Sequence, residues 1–135
     1  MLTLKLIVFI LLSLVTFAYC KIQTITVKGQ IACSDKSVSN VHVELREADT
    51  LDPDDSLSAT HSDRQGRFEV SGQEDELGSI EPYLRITHSC SDGVINPKCR
   101  IVDDYEIPKD YIDDIYNMGI VSLNIAQEGR KKECA

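Results

Sequence analysis

The chain reads as an all-β protein, a seven- to eight-stranded antiparallel sandwich stapled by two disulfides. Three observations predict this. Apolar residues recur at alternate positions through most of the chain, the period of a half-buried strand. Turn residues (Gly, Pro, Asp, Ser) interrupt that alternation at intervals of about ten residues, as in sandwiches. No segment has a strong helical spacing, and there is no internal repeat.

The strands follow in order. Ile25, Val27, Gly29, Ile31 and Cys33 share one face of a first strand. Ser34-Asp35-Lys36-Ser37 is a polar turn, and Val41, Val43 and Leu45 mark a second strand. Asp49 to Asp55 is an acidic loop containing Pro53, which a central strand would exclude. Leu57 to His61 is a short edge strand. In Ser62-Asp63-Arg64-Gln65-Gly66, Asp63 can accept backbone bonds and Gly66 can take positive φ, which predicts a hairpin turn into Arg67 to Val70. Gln73 to Gly78 could form one helical turn. Pro82 opens a strand with Leu84, Ile86, His88 and Cys90 on one face. A loop from Ser91 to Lys98 leads to Cys99, Ile101, Tyr105 and Ile107, and Pro108 ends that strand. Asp110 to Tyr116 is a loop or short helix. Met118 to Ala126 is a last strand, with Ile120 or Val121, Leu123 and Ile125 available to the core.

Residues 1–20 have the three parts of a secretory signal: Lys5, an apolar run from Leu6 to Phe17, and a small-x-small exit at Ala18-Tyr19-Cys20. The run is too short for a membrane anchor, which takes about 20 apolar residues. Tyr19 is poorly suited to precede a lipidated Cys20. Residues 21–135 then form one extracellular domain. It carries 13 basic and 22 acidic side chains, a formal charge of −9. That balance argues against nucleic acid and against electrostatic docking on anionic membranes. No N-x-S/T sequon is present.

Cys33, Cys90, Cys99 and Cys134 remain after Cys20 leaves with the signal. An even count in a small secreted domain predicts two disulfides, with three possible pairings. Cys90 and Cys99 flank one loop between two neighbouring strands, so they are expected to pair. Cys33 is then left for Cys134.

Asp49, Asp52, Asp54 and Asp55 form a possible binding loop. Four clustered carboxylates could hold Ca²⁺, but their spacing is not that of an EF-hand, and a solvated turn is the simpler reading. His88 could be a base or metal ligand. It is better read as a core histidine bonded to backbone, because no catalytic partner set is visible. His42 and His61 are expected to face solvent. No Ser-His-Asp set, nucleophile elbow or phosphate loop occurs, and no cofactor or metal is expected.

The ordered set Val27-Lys28-Gly29-Gln30-Ile31-Ala32-Cys33, Asn40-Val41-His42-Val43-Glu44-Leu45, Asp52-Pro53-Asp54-Asp55-Ser56-Leu57 and Ser62-Asp63-Arg64-Gln65-Gly66-Arg67-Phe68 continues with Ile80-Glu81-Pro82, His88-Ser89-Cys90 and Ile107-Pro108-Lys109-Asp110-Tyr111-Ile112. It resembles the nematode transthyretin-like family. The resemblance implies a prealbumin-like sandwich, secretion and a nematode source. It also implies extracellular binding or signalling, through a cell-surface or host partner.

Related folds include thyroid-hormone carriers and hydroxyisourate hydrolases. The hydrolases share a first-strand histidine and a terminal Tyr-Arg-Gly-Ser. Here the strand reads Thr26-Val27-Lys28-Gly29-Gln30 and the chain ends Lys131-Lys132-Glu133-Cys134-Ala135. The expected function is therefore a non-enzymatic binding module. Its candidate surfaces are the acidic loop and Ser91 to Lys98. The alternatives are a carrier of a small apolar ligand and a divergent hydrolase.

Overall fold

The computed structural model describes residues 21–49, 53–76 and 80–135, together with Thr3. Its strands are β1 (Lys21–Cys33), β2 (Lys36–Ser37), β3 (His42–Glu47), β4 (Asp55–His61), β5 (Arg67–Glu76), β6 (Pro82–His88), β7 (Cys90–Ser91), β8 (Val94–Ile95), β9 (Cys99–Glu106), β10 (Ile115–Ser122) and β11 (Lys131–Cys134). One sheet centres on β1, which pairs with β10, β5 and β2. The other runs β11-β9-β6-β3-β4. Their inner faces meet in a core that includes Ile25, Val27 and Ile31 from β1 and Val43, Leu45, Leu84 and Ile86 from the facing sheet. Burying each such side chain contributes about 1.5–3 kcal/mol.

The predicted sandwich and its alternation are present, with four differences. Strand β1 pairs β10 in parallel rather than antiparallel. Gln73 to Glu76 continues β5 as strand, because Lys21 to Thr24 extend β1 alongside it; the rest of the expected helical turn, residues 77 and 78, lies outside the described residues. The tail Lys131–Cys134 is a strand on β9.

The fourth difference is a bulge in β10. Asn117 pairs Lys28 and Ile120 pairs Gln30, so Met118 and Gly119 together oppose Gly29. Gly119 takes φ 69°. One extra residue inverts the alternation beyond it. Val121 therefore enters the core at 5% exposure, while Ile120 is 70% exposed. Ile125, expected to be available to the core, lies on the surface.

The Asp63 hairpin turn forms as its residues predict. The Asp63 carboxylate accepts from the N–H groups of Gln65 and Arg67, each at 2.9 Å. Gly66 has φ 78° and packs against the Ile31 carbonyl, leaving no room for a Cβ.

The expected cysteine pairing is corrected. The bridges are Cys33–Cys90 and Cys99–Cys134. Extending the β6–β9 register would set Cys90 opposite Cys99, but that ladder stops at His88 and Ile101. The Cys90 N–H instead donates to the ring of His88, 3.0 Å away, and the chain turns into β7. Cys90 then faces the buried end of β1, while Cys99 stands directly opposite Cys134. Peptide mapping under non-reducing conditions should recover Cys33–Cys90 and Cys99–Cys134; a Cys90–Cys99 peptide would contradict this topology.

Candidate functional site

His88 lies on the inner face of β6 and is only 5% exposed. Its Nδ1 accepts the Cys90 N–H, so Nε2 carries the proton and donates to Asp103, 2.8 Å away. Asp103 is fully buried on β9. Arg130 donates to both its oxygens at 2.7 Å and to the Leu123 carbonyl at 2.8 Å. His88 therefore sits in the core with a carboxylate as well as backbone for partners.

Burial holds the His88 ring below its usual pKa against the attraction of Asp103, so it stays neutral. Burial acts to raise the pKa of Asp103, but the bonds from Arg130 and His88 outweigh it and hold the carboxyl below its ordinary range. The neighbouring Tyr105 hydroxyl has no hydrogen-bond partner among the described residues; burial, then the Asp103 charge, pushes it up to about 12. Both nitrogens of His88 are occupied, which suits a structural lock and leaves none to take a substrate proton.

Among the described residues, the acidic loop does not converge on a cage. Asp52 lies outside the described residues. Asp54 turns toward the sheet, accepting from the Tyr83 hydroxyl at 2.6 Å and from the Asp49 N–H at 3.2 Å. Asp55 belongs to β4, and its carboxylate approaches Glu47 of β3 and Glu74 of β5 instead. The described carboxylates brought together are thus drawn from three strands, a grouping that no local spacing in the sequence displays. His42 and His61 oppose each other across β3 and β4, with ring centroids 5.2 Å apart.

The segment from Ser91 to Lys98 contains a rigid hairpin, β7–β8. Asp92 and Gly93 both have positive φ, at 52° and 81°, which makes a two-residue I′ turn. The Asp-Gly pair is the signal in the sequence that could have revealed it. Ser34 donates to the Gly93 carbonyl at 2.9 Å, and Ser89 donates to the Cys99 carbonyl at 2.8 Å. Both flanking cysteines are bridged, one to β1 and one to β11. On this frame Val94 is 67% exposed and Ile95 45%.

A second feature lies on the outer face of the β3-β6-β9 sheet. There Arg46 donates to the Tyr83 hydroxyl (2.9 Å) and to Glu44 (3.0 Å), while Arg85 grips both oxygens of Asp104 at 2.8 and 3.0 Å. Tyr83, Arg85 and Asp104 line an open groove of about 1100 Å³.

The profile of the Transthyretin-like family matches residues 28–108. Transthyretin-like protein 16 of Caenorhabditis elegans is 45% identical over 114 residues, covering 84% of this chain and 85% of that protein. This chain belongs to the transthyretin-like family. Transthyretin-like protein 5 of the same nematode is 35% identical over 135 residues, covering 93% of this chain and 96% of its own. Among solved structures, a 9R-lipoxygenase from Cyanothece aligns with TM-score 0.47 and 21% identity over 73% of this chain and 16% of its own, too loosely to carry an argument. A transthyretin-like fold with two disulfides is compatible with secretion.

The lock makes a pH prediction. His88 has a lowered folded pKa, so its contribution is complete above about 6.5 and declines as pH falls through that value. Asp103 also has a lowered folded pKa, so its contribution is complete above about 3.9 and is lost as pH falls further. Thermal melting followed against pH should show both declines, and His88→Gln should abolish the upper one. Arg130→Met, which strips a buried carboxylate of its cation, should cost about 3–5 kcal/mol in denaturant unfolding at neutral pH.

Proposed function

We propose that this transthyretin-like chain is a secreted, non-enzymatic binding module that engages an extracellular protein or cell-surface partner. The observation that carries the reading is the β7–β8 hairpin. Two exposed aliphatic side chains, Val94 and Ile95, are presented on a segment with a bridged cysteine at each foot. Exposed apolar groups on a preorganised loop lose little conformational entropy on docking, which favours affinity.

Several features support the rest of the proposal. Residues 1–20 have the organisation of a signal peptide. The acidic balance disfavours nucleic acid and anionic membrane. The occupied nitrogens of His88 favour a non-enzymatic role. A carrier of an apolar ligand needs an oligomer channel or an internal cavity, and two concave regions on the described surface are open and lined in part by charged side chains, which disfavours the second form.

The test is affinity capture from extracellular extracts with the oxidised domain, beside Val94→Asp/Ile95→Asp. Both side chains are exposed, so the variant should melt within about 2 °C of the parent. It should lose the captured partner. Equal capture by parent and variant would remove the hairpin as the working surface.

A further inference from the structure

The groove on the outer face of the β3-β6-β9 sheet is built from three sides. Tyr83, Arg85 and Asp104 lie along it, Ala48 and Asp54 border one side, and Ile107 to Lys109 with Gln127 and Glu128 border the other. The first wall is fastened to the sheet. Asp54 accepts the Tyr83 hydroxyl, and Arg46 donates to the Asp54 carbonyl at 3.2 Å. The groove is therefore formed before any ligand arrives, which lowers the ordering cost of binding.

Its charges do not balance. Five carboxylates line it, Asp54, Glu81, Asp104, Glu106 and Glu128, against Arg85 and Lys109. Both cations are already engaged. Arg85 holds Asp104 in a two-pronged pair, and Lys109 lies 3.6 Å from Glu81. Asp54 is satisfied by Tyr83 and the Asp49 N–H. Glu106 and Glu128 remain, exposed and without an ion-pair partner among the described residues. Glu106 stands directly opposite Tyr83 in the β6–β9 register, so one of these carboxylates rises from the sheet and the other from the wall.

From this we infer that the groove is a docking site for an extended, lysine- or arginine-bearing segment of a protein partner. A basic side chain would complete the pairing at Glu106 and Glu128, while the aliphatic stem of a lysine would lie along the exposed ring of Pro108. The chain's overall negative charge would attract such a segment from a distance and repel an acidic one. This site is separate from the β7–β8 hairpin and stands or falls independently of it.

The test uses the full oxidised domain and, as probe, a labelled peptide of alternating lysine and glycine, with an alternating glutamate and glycine peptide as control. Anisotropy at about 0.05 M salt should show binding of the first only, weakening as salt is raised. Glu106→Gln/Glu128→Gln should weaken binding about tenfold, as expected for removing two close charges at a binding surface. Asp35→Asn/Glu69→Gln changes the net charge equally but touches exposed carboxylates outside the groove, so it should leave binding within about twofold. Equal weakening by the two double variants would assign the effect to diffuse charge and overturn the site. Absence of lysine-peptide binding in the parent would overturn it as well. Val94→Asp/Ile95→Asp should bind the peptide like the parent, which keeps this result distinct from that for the hairpin.

Discussion

A carboxylate with no exposure at all sits inside this sandwich, and the protein is organised around neutralising it. Asp103 lies on the inner face of β9, where every other requirement is apolar. An isolated charge there would cost several kcal/mol. Arg130 and His88 remove that penalty, and in doing so they tie together segments at the ends of several strands. Arg130 reaches from the segment before β11 to Asp103 on one sheet and to the Leu123 carbonyl just beyond β10 of the other. His88 links the same carboxylate to the start of β7 through the Cys90 N–H. One buried charge thus fixes the C-terminal segment, the end of β10 and the root of the hairpin.

The two disulfides complete what the carboxylate begins. Cys90 follows His88 by two residues, so the ring that serves Asp103 also turns Cys90 toward Cys33. Cys134 follows Arg130 by four, so the guanidinium that docks the tail brings β11 onto β9 and sets Cys134 opposite Cys99. The covalent and electrostatic constraints are consecutive along the same stretches of chain. This is why Ser91 to Lys98, a polar loop by composition, can hold two aliphatic side chains in water on a fixed frame.

Most of the fold was legible because alternation survives wherever one face is buried. Ile25, Val27 and Ile31, then Val43 and Leu45, then Leu84 and Ile86, all sit where period two places them. What was not legible had one cause in each case. The bulge at Met118 and Gly119 adds a residue that leaves no mark in composition, yet it exchanges Ile120 for Val121 in the core. The disulfides depended on where the β6–β9 ladder ends, and a histidine ring ends it. The Asp103 lock was half visible. Cys99, Ile101, Tyr105 and Ile107 leave position 103 facing inward, and an acidic residue at an inward position calls for a cation. That cation lies 27 residues away in a segment without periodicity. In the acidic loop, adjacency in sequence is no guide to convergence in space. Asp54 and Asp55 are neighbours whose side chains serve different partners.

The same topology decides how the hairpin and the groove relate. Strands β6 and β9 run antiparallel, with Pro82 and Glu106 near one end and His88 and Ile101 near the other. The groove is at the first end, and the hairpin leaves from the second. Seven residues of strand separate them, roughly 20 Å at the rise of an extended chain. Between them lie Leu84 and Ile86, fully buried, together with the Asp103 lock. Such a core has no second arrangement to adopt when either end is occupied, because packed interiors resist small displacements. Sites farther apart than about 10 Å that share no partner act additively. Occupation of one surface should therefore leave the affinity of the other unchanged. Any coupling between them would have to pass through Asp103, since His88 stands at the hairpin end and the Arg130 N–H donates to the carbonyl of Gln127 in the groove wall.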